Sequence, residues 1–274
     1  MLLGFQSDLV EVGRERVQAL AGPDPVLAVE SLHAGYGSME VLHGIDLYVA
    51  AGQSLCLIGP NGAGKSTVLN AIFGFSDVFS GRIVVHGAEL GRAGASTRLR
   101  ENRIAYLLQD SSVFPDLSVE ENLWLGGYLL PRERDARAAT ERIFEQYPRL
   151  AQRRGQAAGA LSGGERRLLE IARALMLDPG ILLVDEPSIG LEARYVDLVF
   201  EVLGDLQRRA GKTIVVVEQN ARKGLEFADV GYVMASGKIV MADRADRLLN
   251  DPGVGELFLG VGPIAAAFRE REKR

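Results

Sequence analysis

Two short runs, Ile181 to Val184 and Ile214 to Val217, are apolar at every position and rich in β-branched residues. Polar residues flank both, so they read as strands buried on both faces of a parallel sheet. Apolar clusters or alternation predict further strands over Val26 to Leu32, Val41 to Ala50, Ser54 to Ile58, Arg82 to His86 and Ile104 to Leu108, with Gly35-Tyr36-Gly37 as a loop between the first two. Helices are predicted over Ser66 to Gly74, Ser118 to Leu130, Glu133 to Tyr147, Glu165 to Met176, Tyr195 to Ala210 and Ala221 to Phe227. The second of these has Glu120 and Glu121 in its first turn, as a capped helix should. A hairpin near Val230 to Val240 completes the pattern. Strands alternating with helices imply an α/β fold with a mainly parallel sheet. The helical stretch at about 111–160, closed by the small-residue linker Gln156 to Ala160, is inserted into that alternation.

The two ends stand apart. Residues 1–24 form an extension ending in the turn cluster Gly22-Pro23-Asp24-Pro25. Leu9, Val10, Val17 and Leu20 line one face of a short helix there, expected to be weakly attached. The charged segment Phe268 to Arg274 reads as a frayed end of the tail, 261–274.

Composition narrows the function. Asp+Glu 36 against Lys+Arg 31 gives a formal net charge of -5 over 274 residues, which argues against a nucleic-acid partner. The single cysteine, Cys56, excludes an internal disulfide framework and a multi-cysteine zinc site, and reads as a small buried hydrophobe. Three histidines leave little material for a histidine-based metal site. The apolar runs fall far short of the roughly 20 residues of a membrane-spanning helix. The start, Met1-Leu2-Leu3-Gly4-Phe5, lacks a basic region, and Asp8 and Glu11 interrupt any apolar stretch. A soluble chain is expected, with any membrane link made through a partner.

Gly59-Pro60-Asn61-Gly62-Ala63-Gly64-Lys65-Ser66 matches the phosphate-binding loop G-x-x-x-x-G-K-[ST] and lies between a predicted strand and helix. Glycines let backbone N–H groups approach a phosphate chain, and the helix dipole points at the same place. Lys65 is expected on the β- and γ-phosphates, Ser66 on Mg²⁺, and Thr67 on a phosphate. The alternative is a glycine-rich turn with an incidental lysine. Ile181 to Val184 ends in Asp185-Glu186, at the strand end that faces the ligand crevice of an open α/β sheet. Asp185 there can hold Mg²⁺, and Glu186 can orient or deprotonate an attacking water. The alternative is two acids that merely end a strand.

Ser162-Gly163-Gly164-Glu165 is a capping box, S-x-x-E, opening a helix with apolar Leu168, Leu169, Ala172, Leu175 and Met176. With Leu161 before it, and set between a phosphate loop and a carboxylate strand, it resembles the signature of the ABC ATPases. The resemblance covers nearly all of residues 26 to 260. It implies the ABC ATPase fold of the P-loop NTPases over 25–260, with a mainly parallel core, an antiparallel β subdomain and an inserted helical subdomain. It implies ATP and Mg²⁺ as cofactors. Two such ATPase domains would close head to tail over two ATPs, with Ser162, Gly163, Gly164 and Glu165 of one facing the γ-phosphate held by Gly59, Asn61, Gly62, Ala63, Gly64, Lys65, Ser66 and Thr67 of the other. Tyr36 falls where the family stacks an aromatic on adenine, although a loop tyrosine would look the same. Gln109 matches the Q-loop, touching Mg²⁺ or water, although a surface glutamine would too. Ser66, Gln109 and Asp185 are thereby the metal residues, and Glu186, Gln109 and Gln219 the catalytic ones.

Val217-Glu218-Gln219-Asn220, Ala228-Asp229-Val230-Gly231-Tyr232-Val233 and Tyr147-Pro148-Arg149-Leu150 resemble the branched-chain amino acid importer ATPases, in particular the LivF branch, with urea and amide importers as relatives. Val119-Glu120-Glu121-Asn122-Leu123 and Ser188-Ile189-Gly190-Leu191 fit as well. The implied partners are a second ATPase subunit, identical or different, and two transmembrane permease subunits docking near Phe114, Pro115 and Leu117. A periplasmic solute-binding protein would take part indirectly. The place implied is the cytoplasmic face of the inner membrane, as a peripheral subunit. Two departures stand out. Gln219 occupies a switch position that is histidine in most ABC ATPases, and Glu192 stands where many have aspartate. The rival reading is a soluble ABC-type ATPase working on DNA or ribosomes. The interval of about 100 residues between loop and signature holds no sustained heptads, against the coiled coil of the chromosome ATPases. A nucleotide-sensing scaffold that binds without turnover is a third reading.

Overall fold

The computed structural model describes residues 12–109 and 112–257. The chain runs α1 (Arg14–Ala21), β1 (Leu27–Tyr36), β2 (Met39–Val49), β3 (Ser54–Ile58), α2 (Lys65–Phe73), β4 (Asp77–Val85), β5 (Ala88–Glu89), α3 (Ala95–Arg100), β6 (Ile104–Leu107), α4 (Val119–Gly126) and α5 (Glu133–Gln146). It continues through α6 (Pro148–Ala151), α7 (Gly163–Ala174), β7 (Ile181–Asp185), α8 (Ala193–Arg208), β8 (Thr213–Val217), α9 (Ala221–Phe227), β9 (Val230–Ala235), β10 (Lys238–Arg244), α10 (Ala245–Leu249) and α11 (Pro252–Leu257). It divides into two compact units, one up to Arg92 and from Val215 onward, the other Ala93–Ile214.

The first unit holds an antiparallel sheet of order β2-β1-β4-β5 and the strand series β10-β9-β3-β8. Within that series β3 and β9 are parallel and β9 and β10 antiparallel. β3 and β8 are buried at every residue, as the apolar runs that follow Ser54 and Thr213 require. The second unit holds β7 and β6, paired in parallel, with β7 buried throughout. β8 passes from one unit into the other. The expected α/β class, with a parallel-containing sheet and a separate antiparallel one, is what the chain adopts.

Several expected boundaries move, for physical reasons. Of Gly35-Tyr36-Gly37, expected as a loop, only Gly37 lies in the turn: β1 runs through Tyr36, which pairs with Met39. Gly35 serves close backbone approach, since a Cβ there would lie 1.9 Å from the Met39 carbonyl oxygen. The helix expected over Ser118 to Leu130 ends at Gly126. A Cβ at Gly126 would meet the Arg173 carbonyl oxygen at 2.5 Å, so the glycine marks where α4 crosses α7. The capping box puts Ser162 outside α7, which therefore starts at Gly163 rather than Glu165. Five short elements, β5, α3, α6, α10 and α11, carry too little periodicity to be read from sequence.

The N-terminal helix is tied down rather than loosely attached. Val17 and Ala21 are buried. Tyr232 Oη donates to the Val17 carbonyl at 3.3 Å, Gln53 Nε2 to that of Leu20 at 3.0 Å, and Arg14 pairs with Asp46 at 3.0 Å. Leu9, Val10 and the charged tail Phe268 to Arg274 lie outside the described residues. Among the described residues, no helix is long and apolar enough to cross a membrane.

Candidate functional site

In the first unit the phosphate-binding motif joins β3 to α2. The loop needs glycine at particular points. Gly62 and Gly64 adopt φ of +80° and +97°, which side-chain-bearing residues avoid. A Cβ at Gly59 would lie 2.3 Å from the Met234 carbonyl oxygen. Ala63 N–H closes a turn onto the Pro60 carbonyl at 3.1 Å, and Gly237 N–H donates to the Ala63 carbonyl at 3.0 Å. Asn61 and Gly62 are exposed at the tip. Gly64 is the N-cap of α2 and brings no side chain to cap it. Lys65 is buried with its ammonium over the loop, donating to the carbonyls of Gly59 at 2.9 Å and Pro60 at 3.1 Å. Ser66 is half-buried and Thr67 buried in the first turn of α2. A curved row of backbone groups around one buried cation at a helix start suits a polyphosphate.

Tyr36 is exposed at the end of β1, and its hydroxyl accepts from Asn70 Nδ2 at 2.7 Å. Gln219 follows β8 and is exposed. Its neighbour Asn220 caps α9, accepting from Lys223 N–H at 3.2 Å. Cys56 is fully buried in β3, and burial, with the Glu218 carboxylate second, pushes its thiol well above the ordinary range. It is a core residue, as expected.

In the second unit β7 delivers Asp185 and Glu186, both buried. Glu186 has φ of +42°, an uncommon conformation for a residue with a side chain and one that clusters at functional sites. Gln109 Nε2 donates to Glu186 Oε2 at 3.1 Å, so the two expected catalytic residues of this unit meet. Sequence reasoning missed Tyr106, whose hydroxyl donates to Asp185 Oδ2 at 3.0 Å. Its one signal is a phenol inside an otherwise apolar strand. It also missed buried Arg167, paired with Glu170 at 2.6 Å and donating to the Leu108 and Asp185 carbonyls at 3.1 and 3.4 Å. That pair, three residues apart on α7, braces the backbone before Gln109 and at Asp185. Within this unit Asp185 and Gln109 offer oxygen donors of the hard kind that Mg²⁺ prefers.

The Ser162–Glu165 capping box forms in full. Ser162 Oγ accepts from Glu165 N–H at 3.3 Å, and Ser162 N–H donates to Glu165 Oε2 at 3.0 Å. Arg153 Nε reaches the other carboxylate oxygen at 2.8 Å. Burial opposes the Glu165 charge, but the Ser162 backbone and hydroxyl and Arg153 prevail and hold its carboxyl below the usual range. Gly163 and Gly164 form the first turn of α7. A Cβ at Gly164 would lie 2.1 Å from Tyr195 Cδ1 and 2.7 Å from its Cγ, the rooted part of the ring. Gly164→Ala is expected to lower stability by about 1–3 kcal/mol, the cost of overpacking, read as a lower urea midpoint.

These features define a P-loop ATPase of the cassette type, and comparison with known proteins supplies the family. The ABC transporter family model matches residues 42–189, more than half of the chain. A high-affinity branched-chain amino acid transport ATP-binding protein, BraG of Pseudomonas aeruginosa, is 41% identical over 86% of this chain and 100% of its own length. A probable branched-chain amino acid transport ATP-binding protein, LivF of Archaeoglobus fulgidus, is 34% identical over 86% of this chain and 99% of its own. A crystal structure of a nucleotide-free ATP-binding cassette from an ABC transporter superposes with a TM-score of 0.76 at 28% identity, covering 87% of this chain and 100% of that one. The chain belongs to the ABC transporter family, as an ATP-binding, ATP-hydrolysing subunit.

Proposed function

We propose that residues 25–260 act as the ATPase cassette of an importer for branched-chain amino acids, coupling ATP-driven closure of paired cassettes to permease subunits in the membrane. The observation that carries the catalytic part is Glu186: buried, in a strained backbone conformation, and hydrogen-bonded to Gln109. The transport names of the similar proteins BraG and LivF support the cargo.

The residues would divide the work as follows. Tyr36 stacks on adenine. The N–H groups of the loop from Gly59 to Thr67, with Asn61, Gly62, Ala63 and Gly64 shaping it, cradle the phosphates, and Lys65 moves from the loop carbonyls onto the β- and γ-phosphates. Ser66, Asp185 and Gln109 hold Mg²⁺, which when bound neutralises phosphate charge. Glu186 accepts the proton of the attacking water, which Gln109 helps to place. Gln219 donates a hydrogen bond to the γ-phosphate and serves as a sensor, because an amide carries no proton charge. The signature turn of the paired cassette, Ser162 to Glu165, closes over that phosphate with helix-start N–H groups. Closure drives transport only if ATP binds the closed pair better than the open one.

On this reading the chain sits at the cytoplasmic face of the membrane and contacts permeases near Phe114, Pro115 and Leu117. Phe114 is exposed, and buried Asn122 fixes the segment. The Asn122 amide accepts from Phe114 N–H at 2.8 Å and donates to the carbonyls of Phe114 at 3.0 Å and Leu117 at 3.2 Å. The test is labelled-leucine and labelled-urea uptake in cells lacking the gene. Loss of leucine uptake alone is expected. Loss of urea uptake alone would overturn the cargo while leaving the ATPase intact.

A further inference from the structure

Outside the nucleotide machinery, three ligand-type side chains meet on the β1–β2 hairpin. His33 and His43 are cross-strand partners, so their side chains share one face. Glu40 would ordinarily point the other way, because it lies three residues from His43 in a strand whose faces alternate. A bulge reverses this. Ala34 pairs with Leu42 but Gly35 pairs with Glu40, which leaves Val41 as an extra residue and turns Glu40 to the histidine face. Gly35 permits the approach, since a Cβ there would lie 3.0 Å from Glu40 Cα as well as against the Met39 carbonyl. A second irregularity precedes His33: Leu32 pairs with Ile45 and His33 with His43, leaving Gly44, at φ +79°, as the extra residue.

The outcome is convergence. Nδ1 of His33 lies 2.6 Å and Nδ1 of His43 3.0 Å from the same oxygen, Glu40 Oε1. One ligand atom from each residue falls within 4.8 Å of the others. His43 is braced from the β9–β10 turn: its N–H donates to the Gly237 carbonyl at 2.9 Å, and a Cβ at Gly237 would lie 2.7 Å from His43 Cδ2. The three side chains are 39–43% exposed, open to an ion from solvent.

A carboxylate clamping one imidazole needs neither a second ring nor a bulge to reach it. Two imidazoles and one carboxylate with an open fourth position are a zinc ligand set. Zinc bonds of about 2.0–2.2 Å place tetrahedral ligand atoms roughly 3.3 Å apart, so the 2.6 Å contact would widen by about 0.7 Å and the 3.0 Å contact by about 0.3 Å. We propose that His33, Glu40 and His43 form a Zn²⁺ site, separate from the ATPase centre, that pins the hairpin carrying Tyr36. The expectation that three histidines leave little for a metal site is thereby revised, because the hairpin register joins two residues ten apart.

The test is calorimetric titration of ZnCl₂ into the EDTA-treated, nucleotide-free full chain, with CoCl₂ absorption as a spectroscopic probe. One equivalent of zinc should bind, and cobalt should give visible bands of a four-coordinate nitrogen–oxygen site. His33→Ala and Glu40→Gln should each weaken zinc by at least about 100-fold, at or beyond the top of the range for losing even an outer-shell partner, while His86→Ala should not. Zinc should raise the urea midpoint of the parent and not of the two variants. Absence of zinc binding, binding undiminished in both variants, or cobalt spectra of a fully hydrated ion would overturn the proposal. If a variant unfolds in EDTA, the parent's cobalt spectrum decides alone.

Discussion

Glu186→Gln is expected to keep ATP bound and to cut phosphate release by about 10²–10⁴-fold, the range that a positioned general base contributes. Glutamine preserves the size of the side chain and its hydrogen bond with Gln109, now 3.1 Å long. It cannot accept the proton of the attacking water. The nucleotide-binding residues are untouched, so affinity for ATP should survive. On the proposed cycle hydrolysis reopens the paired cassettes, so the variant should accumulate as ATP-bound pairs in size-exclusion chromatography, whereas the parent should not. Turnover at the parent's rate would remove Glu186 from the role of base.

Lys65→Ala acts one step earlier. It is expected to weaken ATP binding roughly 10²-fold, the equivalent of about 3 kcal/mol, within the range for deleting one partner of a desolvated charge pair. Lys65 is only 5% exposed, and its ammonium bridges the carbonyls of Gly59 and Pro60. Removing it takes away both the cation proposed to meet the phosphates and two hydrogen bonds to the loop carbonyls. Fluorescent ATP titration measures the first effect. The urea midpoint without nucleotide separates it from unfolding, because a loss of phosphate affinity leaves that midpoint close to the parent's. Undiminished ATP affinity in a folded variant would refute the phosphate role.

The contrast between these residues and the rest shows what a sequence reveals. Ile181–Asp185 and Thr213–Val217 were legible as buried strands because each is apolar almost throughout, and the phosphate loop because its glycines and lysine recur at fixed spacing. The capping box at Ser162 was legible because S-x-x-E is a local device. Tyr106 was not, since its partner Asp185 lies 79 positions away in sequence. The Arg167–Glu170 pair carries no local signal, because charges three apart on a helix are equally at home on a solvated face, and only burial distinguishes it. Gly35 read as a loop breaker because close backbone approach and turn formation ask for the same residue. Glu40 was hidden for a sharper reason: without the extra residue at Val41, strand alternation sends it to the opposite face.

The central claim is that this chain hydrolyses ATP as one member of a cassette pair. It is tested most directly by phosphate release from ATP, measured on the purified chain over a range of concentrations with its permease subunits supplied. The account predicts release that requires both Lys65 and Glu186 and rises per chain as cassettes pair. Stoichiometric ATP binding without release at any concentration, or release that survives loss of both residues, would contradict it.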